Sequence, residues 1–176
     1  MDRRSLLSGG GALLTAQLLP GTAHGRVTST PATADDVKFM QLAIEQAKEA
    51  DVPFGAAIVV DGRVLALGRN STKRNADPTA HAEMMAIRAF LQGHEPDALH
   101  TATLYASGEP CVMCMGAIIW CGIRRLVYAA SIAELSARIG QIDITARQIA
   151  AATAFEDIEI TGGVLSAESI GLFPKE

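Results

Sequence analysis

Two short segments of this sequence carry the residue types that bind a transition metal. Residues 81–83 are His-Ala-Glu, and residues 110–114 are Pro-Cys-Val-Met-Cys. Cysteines at positions i and i+3 of a helix share one face, so Cys111 and Cys114 can reach one ion. With His81 they provide three protein ligands and leave a fourth tetrahedral position for water. That is the arrangement of a catalytic zinc, since a structural zinc normally has four protein ligands.

Glu83 follows His81 by two positions and is the candidate for proton transfer, because a carboxylate beside an activated water can act as general acid and base. Residues two apart on a regular helix project about 200° apart. His81 and Glu83 therefore face one point only if His81 lies in an irregular first turn, with Thr79 as the N-cap. Taken alone, Glu83 is also explained as a first-turn carboxylate that the helix dipole favours.

Other histidines and cysteines are alternative ligands. Cys121 follows Cys114 by seven residues, two helical turns along the axis, and is expected to be a buried apolar side chain. His24 lies in a predicted leader. His94 and His100 lie in one predicted loop, and the sequence leaves them open as ligands.

Hydrophobic periodicity and turn residues predict the elements that position these segments. The expected strands cover residues 56–60, 63–68, 101–106, 126–130 and 158–161. The expected helices cover residues 80–91, 111–120, 132–139, 145–153 and 166–172, after a first helix with Asp35 as its N-cap. Asp61-Gly62 between the first two strands is typical of a hairpin turn. Strands that alternate with helices after an opening hairpin predict a three-layer α/β/α sandwich around a mixed five-stranded sheet.

The composition favours one globular domain and a small substrate. Of the 176 residues, 49% are hydrophobic and 19% are charged, and the formal net charge is -4. Nucleic-acid binding requires clustered basic residues, and Lys73, Arg74, Arg124 and Arg125 are too few to provide them. We therefore expect a small-molecule substrate and no nucleic-acid partner.

Residues 1–25 are predicted to be a twin-arginine-type export signal. Arg3-Arg4 is followed by a moderately apolar stretch, residues 6–19, and small residues near Ala23 or Gly25 offer a cleavage site. A membrane anchor is the alternative, but the stretch is shorter than the roughly 20 residues of a span. Export would place the mature protein in the periplasm, free of the membrane, and a non-functional signal would leave it in the cytoplasm. The predicted organisation is a signal peptide, a linker and one domain: residues 1–25, 26–34 and 35–176.

The two metal-binding segments match the H-x-E and P-C-x-x-C signature of zinc deaminases. The sequence resembles the cytidine/deoxycytidylate deaminase superfamily, and within it the branch of guanine deaminases and bacterial tRNA adenosine deaminases. The resemblance covers nearly all of residues 35–173 and includes residues 53–56, Asn70, residues 77–83 and residues 109–118. It implies a cytidine deaminase-like fold for the domain.

The resemblance also implies the chemistry. One Zn²⁺ per chain is held by His81, Cys111 and Cys114, and Glu83 moves protons between water, a ring nitrogen and the departing amine. A nucleobase or nucleoside is thereby hydrolysed at the carbon that carries its amino group, and ammonia is released.

Five substrate contacts follow from the same resemblance. Asn70 and the backbone N–H of Ala82 are expected to hydrogen-bond the substrate, and Phe54 and Trp120 to wall a purine. Asp143 falls near a family acid that recognises the guanine edge. Together these contacts favour a purine such as guanine.

Other features favour different substrates. Residues 109–114 and 159–165 are more similar to the tRNA enzymes. Guanine deaminases often carry an aromatic residue near the C-terminus, and here only Phe173 is available. A tRNA-specific adenosine deaminase and a cytosine-type deaminase therefore remain alternatives. Family members are usually dimers, and the apolar residues 113–119 lead us to expect a homodimer.

Overall fold

The structure, a computed structural model, describes residues 26–155 and 157–174, so the predicted leader lies outside the described residues. The strands are β1 (Val27–Thr28), β2 (Gly55–Val60), β3 (Arg63–Arg69), β4 (Thr103–Gly108), β5 (Arg125–Ala130) and β6 (Ile158–Thr161). The α-helices are α1 (Ala34–Lys48), α2 (Ala82–Leu91), α3 (Val112–Trp120), α4 (Ile132–Ser136), α5 (Ala146–Ala151) and α6 (Ser166–Ile170). A 3-10 helix covers Pro96–Thr101.

The strands form one mixed sheet in the order β1-β6-β5-β4-β2-β3. β2 runs antiparallel to β3 and β4, whereas β4, β5, β6 and β1 run parallel. The turn between β2 and β3 has positive φ at both Asp61 (49°) and Gly62 (71°), as a type I′ hairpin requires. The predicted hairpin is therefore confirmed.

Helices cover both faces of the sheet. In β2, Ala56 and Ile58 pack with α2, α3 and α5 on one face. The alternate residues Ala57 and Val59 pack with α1 on the other face. This alternation follows from the two-residue period of a strand, and it confirms the predicted three-layer α/β/α sandwich.

The sheet has six strands, not the five expected. The additional strand is β1, in which Val27 pairs with Ile158 and Thr28 with Glu159. Both β1 residues come from the predicted linker, residues 26–34. A two-residue strand is too short to show the alternation from which strands are predicted.

The N-cap of α1 is Thr33, so the prediction of Asp35 at that position is wrong. The Thr33 hydroxyl accepts a hydrogen bond from the Asp36 N–H at 3.1 Å, and the Asp36 carboxylate accepts one from the Thr33 N–H at 2.8 Å. This reciprocal pair is a capping box, and it satisfies two backbone donors at once. Asp35 lies in the first turn instead, where the helix dipole stabilises a negative charge.

Asp36, which is buried, also forms an ion pair with the partly buried Arg125. Its carboxylate accepts hydrogen bonds from two Arg125 nitrogens, at 2.7 and 3.0 Å, and from the Tyr105 hydroxyl at 2.9 Å. Burial opposes ionisation of Asp36, but the hydrogen bonds from Arg125, Thr33 and Tyr105 outweigh it. They hold the pKa of Asp36 well below its ordinary value of 3.8. Arg125 begins β5, so this pair ties α1 to the sheet.

Candidate active site

The three predicted metal ligands come together at the N-termini of two helices. His81 is the N-cap of α2, with extended backbone angles (φ -68°, ψ 159°), and Cys111 is the N-cap of α3, also extended (φ -65°, ψ 172°). Cys114 lies in the first turn of α3 and is fully buried. The prediction of Thr79 as the N-cap of α2 is wrong, since its N–H and hydroxyl bond to Asp77.

The spacing of the three ligand atoms fits a tetrahedral zinc. The His81 Nδ1 lies 3.6 Å from the Sγ atoms of both Cys111 and Cys114. Zinc bonds of about 2.3 Å to sulfur and 2.0–2.1 Å to nitrogen, at tetrahedral angles, require a nitrogen–sulfur separation of about 3.6 Å. These residues form the one such cluster among the described residues, with all ligand atoms within 4.8 Å of one another.

The electrostatics of the site favour the thiolate form of Cys111, whereas the hydrogen bond of Cys114 with Cys111 raises the pKa of Cys114. A hydrogen bond from the Cys114 thiol lowers the pKa of Cys111 to about 4, and a further one from His81 acts in the same direction. The pKa of His81 is correspondingly raised by its hydrogen bond with Cys111. A thiolate is the form of cysteine that binds a metal, so the lowered pKa of Cys111 favours metal binding by this residue.

Glu83 lines the same pocket as His81 and Cys111 and is 6% exposed. Burial raises the pKa of Glu83 to about 7. A carboxyl group with a pKa near the operating pH is suited both to accept and to deliver a proton.

A glycine in β3 allows α2 to lie close to the sheet. A Cβ added at Gly68 would lie 2.2 Å from the Ala82 carbonyl oxygen and 2.4 Å from the Ala86 nitrogen. Only glycine therefore permits this approach. The close approach sets the position of the first turn of α2, which carries Glu83.

The remaining wall of the pocket contains Phe54, Glu109 and Gln141. The Phe54 ring packs edge-to-face on Phe173 at 5.1 Å, and a Cβ at Gly108 would lie 2.7 Å from the Phe54 ring. The structure thus places Phe54 in the lining of the pocket, and its contact with a purine stays a prediction. Phe173 supports that ring from behind and is buried.

Trp120 does not lie in this pocket. It ends α3, is 77% exposed and packs edge-to-face on Phe155 at 4.9 Å. Both rings line a separate cavity of about 220 Å³ that also contains His100. Trp120 follows Cys111 by nine positions, about 13 Å along the helix axis, so Trp120 cannot wall a base bound in the pocket of its own chain.

Asp143 is also absent from the pocket lining, and Gln141 is present in its place. The Asp143 carboxylate is exposed and accepts a hydrogen bond from the Ser136 hydroxyl at 2.6 Å. Asp143 therefore lies two positions after Gln141, the residue that lines the pocket. The sequence could not predict this, because the segment between α4 and α5 has no hydrophobic periodicity that would fix its alignment.

Asn70 and Ala82 lie on elements that border the site. Asn70 directly follows β3 and is buried, and its Oδ1 accepts hydrogen bonds from the N–H and hydroxyl of Thr72. Ala82 is the first residue of α2, where an N–H has no acceptor within the helix. Substrate contacts by these two residues stay predictions.

The alternative ligands lie elsewhere. The His94 ring packs on Phe90 at 4.7 Å. His100 is in the 3-10 helix that occupies part of the predicted loop, and its ring covers Gly122. Cys121 is partly buried outside the metal cluster, and burial raises the pKa of its thiol. His24 lies outside the described residues.

Sequence reasoning missed the roles of Glu109 and Gln141. Glu109 is 5% exposed, and each of its carboxylate oxygens accepts a backbone hydrogen bond at 2.9 Å, from Ile132 and from Ala146. The sequence shows that Glu109 directly precedes Pro110, but no pattern of side chains indicates which backbone groups its carboxylate binds. Gln141 has no motif of its own.

The comparison with known families agrees with this site. The family described as the cytidine and deoxycytidylate deaminase zinc-binding region matches residues 33–130, more than half of the chain. The chain belongs to this deaminase family. It is accordingly a zinc-dependent hydrolytic deaminase, and His81, Cys111 and Cys114 are placed so that they could hold a single metal ion.

Individual relatives of this deaminase fall into two groups. The tRNA-specific adenosine deaminase of Agrobacterium fabrum is 36% identical over 140 residues, which are 77% of this chain and 90% of that protein. The guanine deaminase of Bacillus subtilis is 47% identical over 78 residues, which are 44% of this chain and 50% of that protein. The deaminase is thus similar to enzymes that act on two different purines.

Solved structures show the same division. A structure from work on deaminases of the wobble position of transfer RNA matches 77% of this chain and 99% of its own, with a TM-score of 0.64 and 34% identity. The guanine deaminase of Nitrosomonas europaea matches 94% of this chain and 96% of its own, with a TM-score of 0.62 and 26% identity.

Proposed function

We propose that this deaminase hydrolyses the 6-amino group of adenosine, giving inosine and ammonia. The relative with the longest match described above is a tRNA-specific adenosine deaminase, aligned over 140 residues. The structural observation that favours adenosine over guanine is that Gln141, rather than the expected Asp143, lines the pocket.

The hydrogen-bonding groups of Gln141 complement adenine better than guanine. Guanine presents adjacent N–H donors on its Watson–Crick edge, and a carboxylate accepts both. A carboxamide offers one acceptor oxygen and two N–H donors, and it pairs with adenine through an acceptor and an amino group. Glu109 also lines the pocket, but its oxygens are already engaged by Ile132 and Ala146.

The residues of the pocket divide the reaction between them. His81, Cys111 and Cys114 would hold a zinc ion, which would lower the pKa of a bound water to about 7. Glu83 takes one proton from the attacking water and delivers it to N1 of the ring. It then takes the second proton from the hydroxyl group formed at C6 and gives it to the departing amine. Phe54 contacts the face of the base, and Gln141 contacts its edge. One water is consumed and one ammonia is released for each adenosine.

A panel of substrates tests the proposal. The zinc-loaded protein is incubated separately with adenosine, a stem-loop RNA with an unpaired adenosine, adenine, guanine and cytidine, and ammonia is measured. We expect release from adenosine, from the RNA or from both, and little from guanine. Release from guanine alone, or from cytidine alone, would contradict the proposal.

The two adenosine substrates differ in what they require of the surface. Arg74 pairs with Asp51, and Arg125 pairs with Asp36, so two of the basic residues considered for nucleic-acid binding are engaged. The relatives named for tRNA nevertheless favour RNA. Binding of the stem-loop with a steep salt dependence would identify RNA, because phosphate contacts release counterions.

Guanine is the second candidate function. It is favoured by the 47% identity to the Bacillus subtilis guanine deaminase and by the nearly full-length structural match to the Nitrosomonas europaea enzyme. In that case Gln141 would accept only one of the two guanine donors. Glutamate at this position would then increase activity on guanine, which the same assay measures.

We further propose that residues 1–25 direct export to the periplasm through the twin-arginine route. The paired arginines and the apolar stretch behind them support this proposal. In the described part of the chain, no helix is long and apolar enough to cross a bilayer. A periplasmic protein whose first residue lies near His24 or Arg26 would support export, and a cytoplasmic protein that retains residue 1 would contradict it.

We also propose a homodimer that covers the exposed aromatic surface at the end of α3. Trp120 is 77% exposed and Phe155 is 47% exposed, which is unusual for large apolar side chains in contact with each other. A contact between Trp120 and substrate, as predicted from the resemblance, would require the pocket of a second chain.

A further inference from the structure

We propose that Glu109 is a positioning residue that holds Gln141 over the pocket, an inference that rests on the proposed function of Gln141. Glu109 lines the pocket together with His81 and Cys111. Its two carboxylate oxygens bind the backbone N–H groups of Ile132 and Ala146, both at 2.9 Å. These two residues begin α4 and α5, and Gln141 lies between the two helices.

The carboxylate of Glu109 thereby holds together the two ends of the segment from residue 132 to residue 146. Ile132 and Ala146 are 3% and 0% exposed, so their bonds to Glu109 form in a dry environment, where losing a partner is costly. Within the segment, the Ser136 hydroxyl bonds to Asp143 and the Ile144 N–H to the Ile142 carbonyl. Gln141, which lies within this segment, lines the pocket.

Glu109 itself is fixed to the sheet. It follows β4 directly, and its N–H donates to the Ala130 carbonyl at the end of β5 at 2.7 Å. The next two residues are Pro110 and the metal ligand Cys111. The same short stretch of backbone therefore places the metal-binding helix and the substrate-contacting segment relative to each other.

This arrangement predicts a specific kinetic effect. In Glu109→Gln, the amide keeps one acceptor oxygen, and its NH₂ group faces a backbone N–H donor, so one of the two bonds is lost. The 132–146 segment then no longer holds Gln141 in place. We expect KM to rise on the order of ten-fold, because one charge-assisted hydrogen bond is lost. We expect kcat to change less than about two-fold and zinc to stay at one per chain.

Glu134→Gln is the matched control. Glu134 also accepts a hydrogen bond from a backbone N–H of this region, that of Ser131, but it is on the exposed side of α4 and outside the pocket lining. Its substitution should leave KM and kcat unchanged.

A double-mutant cycle separates positioning from a general structural role. If Glu109 acts through Gln141, Gln141→Ala should raise KM in the native background and have little further effect in Glu109→Gln. Additive effects of the two substitutions on KM, or a fall in kcat with KM unchanged, would overturn the inference. If Glu109→Gln does not fold, Ala146→Pro provides the test from the other side. It removes one N–H donor at the first helical position, where proline is tolerated, and must raise KM in the same way.

Amide hydrogen exchange needs no substrate and therefore distinguishes failure of this inference from failure of the proposed function. The N–H groups of Ile132 and Ala146 should be protected in the native protein, and at least one of them should exchange faster in Glu109→Gln. Unchanged protection of both groups would overturn the inference, whatever the substrate panel shows.

Discussion

His81 and Glu83 line one pocket although a single residue separates them. On a continuous helix their side chains would point about 200° apart. The conflict is absent because His81 precedes α2, with extended backbone, and Glu83 lies inside it. The helix boundary thus permits one segment to supply both a metal ligand and a proton-transfer group.

Removing one metal ligand should remove the zinc. We expect Cys114→Ser to reduce the zinc content from one per chain to nearly none, because two protein ligands are too few to hold a tetrahedral zinc ion. Metal analysis of the purified variant measures this. Cys121→Ser is the control and should keep one zinc, and a loss of zinc in that variant would mean that Cys121 belongs to the site.

The close approach of α2 to the sheet predicts a large effect at Gly68. Gly68→Ala places a Cβ 2.2 Å from a backbone oxygen of α2, which no side-chain movement can relieve. We expect a loss of about 1–3 kcal/mol in the free energy of unfolding and weaker zinc binding. Gly116→Ala in α3 is the control, since its Cβ meets no atom within 4 Å and alanine favours a helix. A smaller loss at Gly68 than at Gly116 would contradict this packing.

Protonation of Asp36 should lower the free energy of unfolding in acid. Its pKa in the folded chain lies well below the ordinary 3.8, so the folded state binds fewer protons than the unfolded chain. The contribution is fully present above about pH 4 and decreases as the pH falls towards the folded pKa. Urea unfolding between pH 7 and pH 2 should show this decrease.

Asp36→Asn should remove most of that dependence on pH. At pH 7 we expect it to lower the free energy of unfolding by about 3 kcal/mol, because Arg125 loses a buried partner and keeps Glu159. Glu45→Gln, which breaks an exposed pair with Lys48 on the same helix, should have little effect. Equal acid sensitivity of native protein and Asp36→Asn would exclude Asp36 as its source.

Trp120 provides a direct probe of the proposed dimer, because it is the one tryptophan in the sequence. We expect its fluorescence to shift to shorter wavelength as protein concentration rises, because association transfers the exposed ring from water into an interface. Sedimentation should show a dimer over the same range, and Trp120→Glu should remain monomeric. A dimer with unchanged Trp120 emission would place the interface elsewhere.

The metal centre was predictable because its information is local. His81, Cys111 and Cys114 are recognised by residue type and short spacing. The two helices that begin at this site, α2 and α3, follow from hydrophobic periodicity. The hairpin was predictable for the same reason, since Asp61-Gly62 specifies its turn.

The other parts of the site depend on tertiary contacts that leave no such signal. β1 is too short for periodicity, and its strand character comes from pairing with β6. Gln141 reaches the pocket because Glu109 binds backbone groups 23 and 37 positions away. Trp120 shows the opposite error: an aromatic residue expected in the pocket lies on the surface, because the length of α3 separates it from the metal ligands.

Ammonia release by the zinc-loaded Glu83→Gln variant tests the central claim most directly. The amide preserves the size of the side chain but cannot carry a proton between water, ring and amine. We predict that this variant keeps one zinc per chain and loses at least about 10²-fold in kcat on the substrate that the native protein deaminates. Ammonia release at the native rate, with zinc bound, would contradict it.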